Sequence, residues 1–401
     1  GSCTNSSYED LSGAASIARQ ARKQGLIAKC PLYISPGSEN IRETVHRDGF
    51  LDDLVAIGAT VLANACGPCI GLWNRDEQLS NVDNSIVTSF NRNFPGRNDG
   101  SVKTHAFLMS PEMVIAKALS GRLDFNPETD RLVNDDNDTF CLTNPARIAI
   151  PVNGFCLNDS GYTPARLEPE DITVEESFES ERIKRMVPFK EWDGKDFTDL
   201  LILCKISGKC TTDQISPAGK WLRYRGNLEY LSNNLLLGAN NVYHDTTGYG
   251  VNILTNGMDT LAEIAKYYSS TNHPWLIIGD DNMGEGSSRE HASLEPRYRG
   301  CRAVIARSFS RIFESNLKRH GILATKFADP DDYDRFHPDD LVSILNLFSF
   351  EPDRPLTVTI THIDKTFEQF EVVHTYTEEQ ILWFKSGSSL NYLSSIFSDD
   401  S

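Results

Sequence analysis

No run of about eighteen apolar residues occurs in this 401-residue chain, so a transmembrane helix is excluded. The opening residues, Gly1-Ser2-Cys3-Thr4-Asn5-Ser6, lack the basic and apolar regions of a targeting signal. They also lack an initiator methionine, so a processed, truncated or partial chain is expected. Basic charge is scarce. Against 56 acidic residues stand 39 lysines and arginines, a net charge of −17. Such a field is not built for nucleic acid or anionic membranes. An anionic substrate would need local arginines to overcome it. Nine cysteines are too few and too irregularly spaced for a secreted disulfide framework. A reducing compartment is expected, with some thiols free for metal.

What is present reads as α/β. Tyr8 to Gln24 is Ala-rich and stops at Gly25, which suits a helix with a glycine C-cap. Leu32 to Ile34 is a strand candidate. Pro36-Gly37-Ser38 starts a helix that runs to about Arg47. Val55 to Ala63 carries apolar sequence towards Cys66. Ser110-Pro111-Glu112 combines an N-cap, a proline at the first helical position and an early acid, and that helix ends near Gly121. This alternation predicts a mostly parallel sheet over residues 1–151. Residues 152–195 lose apolar periodicity and place Pro164, Pro169 and Pro188 among many glutamates, as a linker would. From 196 to 401 a second α/β segment follows. Leu200–Ile206, Trp275–Ile278 and Ala303–Ala306 read as buried strands. Ser308–Leu317 and Tyr376–Lys385 read as helices. The acidic run Asp135-Asp136-Asn137-Asp138 reads as an exposed loop.

Cys66-Gly67-Pro68-Cys69 sets two thiols in a Gly/Pro turn, where they can converge on one metal. A redox pair and half of a zinc site are the bland alternatives. No second C-x-x-C and no suitable His pair follows, which weighs against zinc. Cys3, in a small-residue loop feeding a helix, supplies a third thiol. Three thiolates can hold a cubane cluster and leave one iron open as a Lewis acid. Cysteines 30, 141, 156, 204, 210 and 301 have no motif around them, and buried structural thiols are expected for most.

Taken together, five segments resemble the aconitase superfamily, and mitochondrial-type members most closely. Gly1–Asn5 and Ala63–Cys69 are similar to its cluster-binding segments. Asn91-Arg92-Asn93-Phe94-Pro95-Gly96-Arg97 is similar to its substrate-arginine loop. Cys210-Thr211-Thr212-Asp213 and Gly284-Glu285-Gly286-Ser287-Ser288-Arg289-Glu290-His291 are similar to the two active-site motifs of its swivelling C-terminal domain. The resemblance implies a parallel-sheet α/β cluster-binding domain, incomplete at its N-terminus (1–151), a linker (152–195) and an α/β swivelling domain (196–401). It also implies that N-terminal domains, which hold further substrate contacts and His/Asp acid–base groups, have no counterpart here.

The same resemblance assigns roles. Cys3, Cys66 and Cys69 would hold a [4Fe–4S] cluster, with Asn91 against it. Arg92 and Arg97 would clamp substrate carboxylates, for which a bent loop of two arginines is chemically suited. Arg225 is picked over its neighbour Arg223 by motif alignment alone; the bland reading is a solvated arginine. Ser287 would act as the base, Ser288 and Arg289 would bind substrate, and Asp213 would tune the acid–base groups. On residues alone, Asp213 reads as a turn cap and the Gly284–Arg289 turn as a tight turn with serine as N-cap. A strand-to-helix turn of this kind does gather backbone N–H groups near a helix start, which suits a carboxylate. Two departures from the family pattern stand here: Gln214 where a His is usual, and Pro217. Gln cannot carry a titrating proton.

The implied activity is a hydro-lyase acting on a tricarboxylate: citrate, cis-aconitate and isocitrate. The implied site of action is the mitochondrial matrix. Rival expectations are a homoaconitase or isopropylmalate-type isomerase, an RNA-binding iron-sensing relative, which the acidic balance opposes, and an inactive fragment that needs a missing N-terminal half as partner.

Overall fold

The computed structural model describes residues 4–73, 75, 81–157, 162–164, 177 and 179–398. Cys3 lies outside them, as do Glu168, Pro169, Glu170, Glu175 and Glu176 of the expected linker. Two compact units are present, residues 1–173 and 174–401.

In the first unit α1 (Tyr8–Lys23) is started by a Ser7/Asp10 capping box and ends before Gly25, as its composition dictates. β1 (Leu32–Ile34) leads to α2 (Glu39–Arg47), whose N-cap Ser38 accepts from Ile41 N–H at 3.2 Å. α3 (Phe50–Ala56) then delivers β2 (Ala59–Val61), parallel to β1. β3 (Asn84–Thr88) and β4 (Thr104–Leu108) form a second parallel pair. α4 (Pro111–Ser120) has Ser110 as N-cap and Gly121 as its left-handed C-cap. β5 (Leu132–Val133) and β6 (Thr139–Phe140) close an antiparallel hairpin over the exposed acidic run 135–138. α1 packs against α3 and α4 around Leu11, Ala15, Ala18, Leu54 and Leu119.

One mostly parallel sheet was the expectation for this segment. The structure instead holds two separate parallel pairs and a hairpin among the described residues. The reason is pairing: β1 has β2 as its one strand neighbour and β3 has β4.

The second unit is built on a closed seven-stranded barrel. Its strands are β7 (Phe197–Lys205), β10 (Trp275–Gly279), β11 (Cys301–Ala306), β12 (Leu323–Phe327), β13 (Leu341–Leu345), β14 (Leu356–Thr361) and β15 (Phe367–Val373). β7–β10–β11–β12 are parallel neighbours, and β12–β15–β14–β13–β7 close the ring antiparallel. β10 is buried at all five positions, as befits a parallel strand covered on both faces. β14 alternates buried and half-buried, the mark of a strand with one face in the core. A two-stranded ribbon, β8 (Tyr249–Asn252) with β9 (Gly257–Thr260), stands outside the barrel.

Short helices α5 (Thr212–Ile215) and α6 (Leu228–Leu231) and longer ones α7 (Leu261–Ser270), α8 (His291–Tyr298), α9 (Arg311–Arg319), α10 (Glu378–Lys385) and α11 (Ser389–Ser398) complete the unit. Two helix starts differ from expectation. α9 begins at Arg311 because Ser308 and Ser310 are spent on Asn282 and Met283: Ser308 Oγ accepts from Asn282 N–H, and Ser310 N–H donates to Met283 O. α10 begins at Glu378 because Thr377 forms a capping box with Gln380, while buried Tyr376 donates its hydroxyl to Ile322 O. The end of the expected linker belongs to this unit. Lys184 N–H donates to Gly226 O, and Trp192 N–H to Lys385 O.

Candidate functional site

In the first unit the chain leaves β2 and turns through a short 3-10 segment, Gly67–Ile70, whose N-cap is Cys66. Gly67 and Gly71 take positive φ, 40° and 88°, and let the backbone fold tightly enough for Cys69 N–H to reach Cys66 O at 2.8 Å. Cys66 is exposed and Cys69 buried, and neither is in a disulfide. The Sγ of Cys69 lies 3.9 Å from Asn91 Oδ1.

The loop after β3 braces this turn. Arg97 Nε donates to Cys69 O at 2.6 Å, and Asn98 Nδ2 to Pro68 O at 2.9 Å. Arg97 is only 4% exposed, so this arginine is part of the turn's support and not a free surface cation. Arg92 is half-buried in the same loop. On the other side, Asn5 donates to the carbonyls of Ser89 and Phe90, which ties the segment entering α1 to the arginine loop. Ser35 Oγ donates to Ala63 O at 3.2 Å, holding the approach to Cys66. The structure thus gathers Cys66, Cys69, Asn91 and Arg97 in one place. Two free thiols make a soft donor pair, which fits an iron–sulfur group better than a hard cation.

In the second unit the two sequence motifs meet side by side. Thr211 and Glu285 form a parallel bridge, Thr212 N–H donates to Glu285 O at 2.9 Å, and Gly284 N–H to Cys210 O at 2.7 Å. Thr212 Oγ1 donates to Ser287 O at 2.8 Å, so the backbone that carries Ser287 is held by the Asp213 segment. Asp213 pairs with Arg289. Arg289 Nη1 also donates to Ser216 O at 2.8 Å. The expectation that Asp213 caps a turn is therefore corrected. Thr211 is the N-cap of α5, in a capping box whose second member is Gln214: its Oε1 accepts from Thr211 N–H at 2.7 Å. The expectation of a serine N-cap at the start of α8 is corrected too, because Glu290 holds that position without a side-chain bond. Ser287 is half-buried and Ser288 exposed.

Arg225 and Arg223, inseparable by local sequence, differ in structure. Both are exposed, but Arg223 pairs with Glu181 at 3.3 Å and lies over the Tyr224 ring. His291 Nε2 is 2.9 Å from Arg225 O and anchors that loop to the start of α8. Sequence reasoning had no role for His291, Thr212 or Ser216. It also missed Glu295, which is fully buried; its Oε1 accepts from Ser216 Oγ at 2.7 Å and its Oε2 has no protein partner. Burial raises the Glu295 carboxyl well above the usual range, outweighing the Ser216 hydrogen bond. Thr212 and His291 lie within the two motifs, and Ser216 and Glu295 were signalled by nothing but nearness to them.

Buried thiols were expected for most of the remaining cysteines. Cys204, Cys210 and Cys301 are buried, and burial pushes Cys210 up to about 12. Cys30 and Cys141 are exposed and Cys156 is half-buried, since they fall in loops and short edges of the first unit. Among the described residues, one group of His and carboxylate side chains converges: His337, Asp340 and His362. Both Asp340 oxygens are already engaged, by His337 N–H and by His362 Nδ1, each at 2.7 Å. These hydrogen bonds to buried Asp340 join the start of β13 to the end of β14.

Residues 1–121 match the aconitase family (aconitate hydratase), and residues 201–330 match the aconitase C-terminal domain. The chain is 47% identical over 98% of its length to the mitochondrial aconitate hydratase of Gracilaria gracilis, covering 50% of that protein. It is 48% identical over 99% of its length to a probable mitochondrial aconitate hydratase of Caenorhabditis elegans, covering 51%. It is 46% identical over 98% to that of Saccharomyces cerevisiae, covering 50%. The chain thus spans about half the length of these relatives.

Proposed function

Because this chain belongs to the aconitase family, we propose that it forms the C-terminal half of a mitochondrial aconitate hydratase. That enzyme interconverts citrate and isocitrate through cis-aconitate, as in the tricarboxylic acid cycle. The observation that carries this reading is the Cys66–Cys69 turn, with Asn91 beside one thiol and Arg97 bound to its backbone. In the finer domain reading, residues 1–151 are the remainder of a cluster-binding domain, 152–195 a linker and 196–401 a swivelling domain. The relatives' names place the activity in mitochondria, so the matrix is the proposed site of action.

Cys66 and Cys69, with Cys3, would hold a [4Fe–4S] cluster. Bound there, it would supply an open iron as a Lewis acid for the substrate hydroxyl. The chain's own residues would do the rest. Arg92 and Arg97 in the first unit, and Arg225 in the second, are the residues that the family resemblance assigns to substrate carboxylates. Ser288 and Arg289 are assigned substrate contacts by the same resemblance. Ser287 would remove a carbon-bound proton, a task for which its hydroxyl must be activated. The Asp213–Arg289 pair keeps a cation at a defined position close to the Ser287 turn, where it favours developing negative charge. Asp213 in turn keeps Arg289 from swinging away.

The test is anaerobic reconstitution with iron and sulfide. About four irons per chain are expected, with the matching absorption, and Cys66→Ser should lose them. Stable zinc in their place would sink the cluster reading. Turnover is measured after the relatives' N-terminal half is supplied, with citrate against homocitrate. Homocitrate as the better substrate would move the protein to the homoaconitase branch.

A further inference from the structure

Glu295 is 0% exposed. Full burial of a carboxyl is costly unless new partners replace the lost water. The usual reasons for an acid in a helix do not apply to it. It is the fifth residue of α8, beyond the first turn, where an acid would favour the helix N-terminus. Nor is it spent on buried Arg299, four residues on. That guanidinium donates through Nη2 to Glu229 O at 2.9 Å and to Asn233 Oδ1 at 3.2 Å. What Glu295 contacts is Ser216, whose Oγ donates to its Oε1 at 2.7 Å.

Ser216 closes α5, and its surroundings are held at successive points. Its N–H donates to Thr212 O at 2.9 Å, and Asn234 Nδ2 donates to the next carbonyl, Pro217 O, at 2.8 Å. The carbonyl of Ser216 itself accepts from Arg289 Nη1 at 2.8 Å. Arg289 Nη2 pairs with Asp213. The guanidinium is thus gripped at two nitrogens by two acceptors from one short segment, 213–216. A planar fork held at both Nη atoms has its orientation set, and not only its position.

We propose that Glu295 is a positioning residue for Arg289. Through the Ser216 hydroxyl it fixes the backbone of residue 216, and the Ser216 carbonyl then sets the plane of the Arg289 guanidinium. This rests on the proposed hydratase reading, in which Arg289 meets a substrate carboxylate. Burial favours the neutral, protonated form of the Glu295 carboxyl. A neutral acid accepts from Ser216 without rivalling Asp213 as the counter-ion of Arg289. An aliphatic side chain in its place would leave the buried Ser216 hydroxyl without its acceptor. The segment would relax to satisfy it, and the carbonyl that grips Arg289 would move with the backbone.

The first readout is the Arg289 guanidinium itself, followed by heteronuclear NMR in the 401-residue chain and assigned by its loss in Arg289→Lys. Rotation about its Cζ–Nε bond should be about tenfold faster in Glu295→Leu and in Ser216→Ala than in wild type. Ser216→Ala cuts the link from the other end and is the milder change if Glu295→Leu folds poorly. Glu295→Gln keeps an acceptor and should hold the rate close to that of wild type. A merely structural Glu295 would lower the melting temperature and leave the Arg289 signal as it was. That result in a folded Leu or Ala variant overturns the proposal.

Turnover supplies a second readout, with the N-terminal half of the Saccharomyces cerevisiae relative added. Glu295→Leu should lower kcat/KM for citrate about tenfold. The same change on top of Arg289→Lys should cost less than about twofold, because the residue through which Glu295 acts is already altered. An equal factor in both backgrounds overturns the proposal. If wild type does not turn over citrate, the hydratase reading falls, and the Arg289 signal in the chain alone still decides the role of Glu295.

Discussion

Arg97 Nε and the Cys69 carbonyl are joined across 2.6 Å inside the first unit. An arginine that resembles a substrate clamp is thus also a strut of the thiol turn. Its bond is charge-assisted and buried, a class worth about 1.5–3 kcal/mol. Arg97→Lys cannot reproduce the planar fork. It should lower both the stability of the first unit and the iron retained after reconstitution, before any substrate is added. Full iron content with only KM changed would restrict Arg97 to substrate binding.

Glu295 offers a pH prediction. Its carboxyl is raised above the usual 4.5 by burial, so the folded chain keeps a proton that the unfolded chain has released. Stability from this group is complete below the unfolded value and falls as pH rises towards the folded one, by up to about 1.4 kcal/mol per pH unit. Glu295→Gln keeps an acceptor for Ser216 and removes the titration. Denaturation curves from about pH 5 to about pH 8 should show wild type losing stability relative to the variant. Parallel curves for the two would refute the assignment.

Gly284 has φ +79°, and a Cβ there would lie 2.1 Å from Cγ of Phe313. Left-handed backbone and a collision with a buried ring add up. Gly284→Ala should cost about 3 kcal/mol or more in the second unit. The turn that carries Ser287 and the Thr212 segment should loosen together. A melting temperature equal to wild type would contradict this geometry.

Gln214 stands where the family usually has a histidine, and here it closes the capping box of α5 with Thr211. Gln214→Ala should therefore cost about 1 kcal/mol. Because Gln carries no titrating proton, the pH profile of turnover with the N-terminal half supplied should keep its shape in Gln214→Ala. A displaced profile with unchanged stability would mean that Gln214 acts on the chemistry and not on the cap.

Local features were legible in the chain. Ser110-Pro111 and the Gly25 stop mark helices because capping is satisfied within a few residues. The Cys66–Cys69 turn was legible for the same reason: its glycines and proline dictate their own backbone. Arg225 was not separable from Arg223, because the distinction rests on Glu181, a residue remote in sequence. Asp213 read as a cap because nothing in its neighbourhood announces Arg289. The antiparallel closure of the barrel through β13, β14 and β15 was likewise invisible, since strand alternation tells which face is buried and not which strand is the neighbour.

By itself, then, the sequence determined the helix ends, the thiol turn, the acidic balance and the family likeness of five segments. Each depends on residues close in the chain or on composition. Tertiary structure alone decided that Arg97 supports Cys69, that Asp213 holds Arg289, and that Glu295 lies beneath Ser216. Those relations join residues far apart in the chain. They exist only once burial has removed water as the competing partner for each charge and carbonyl.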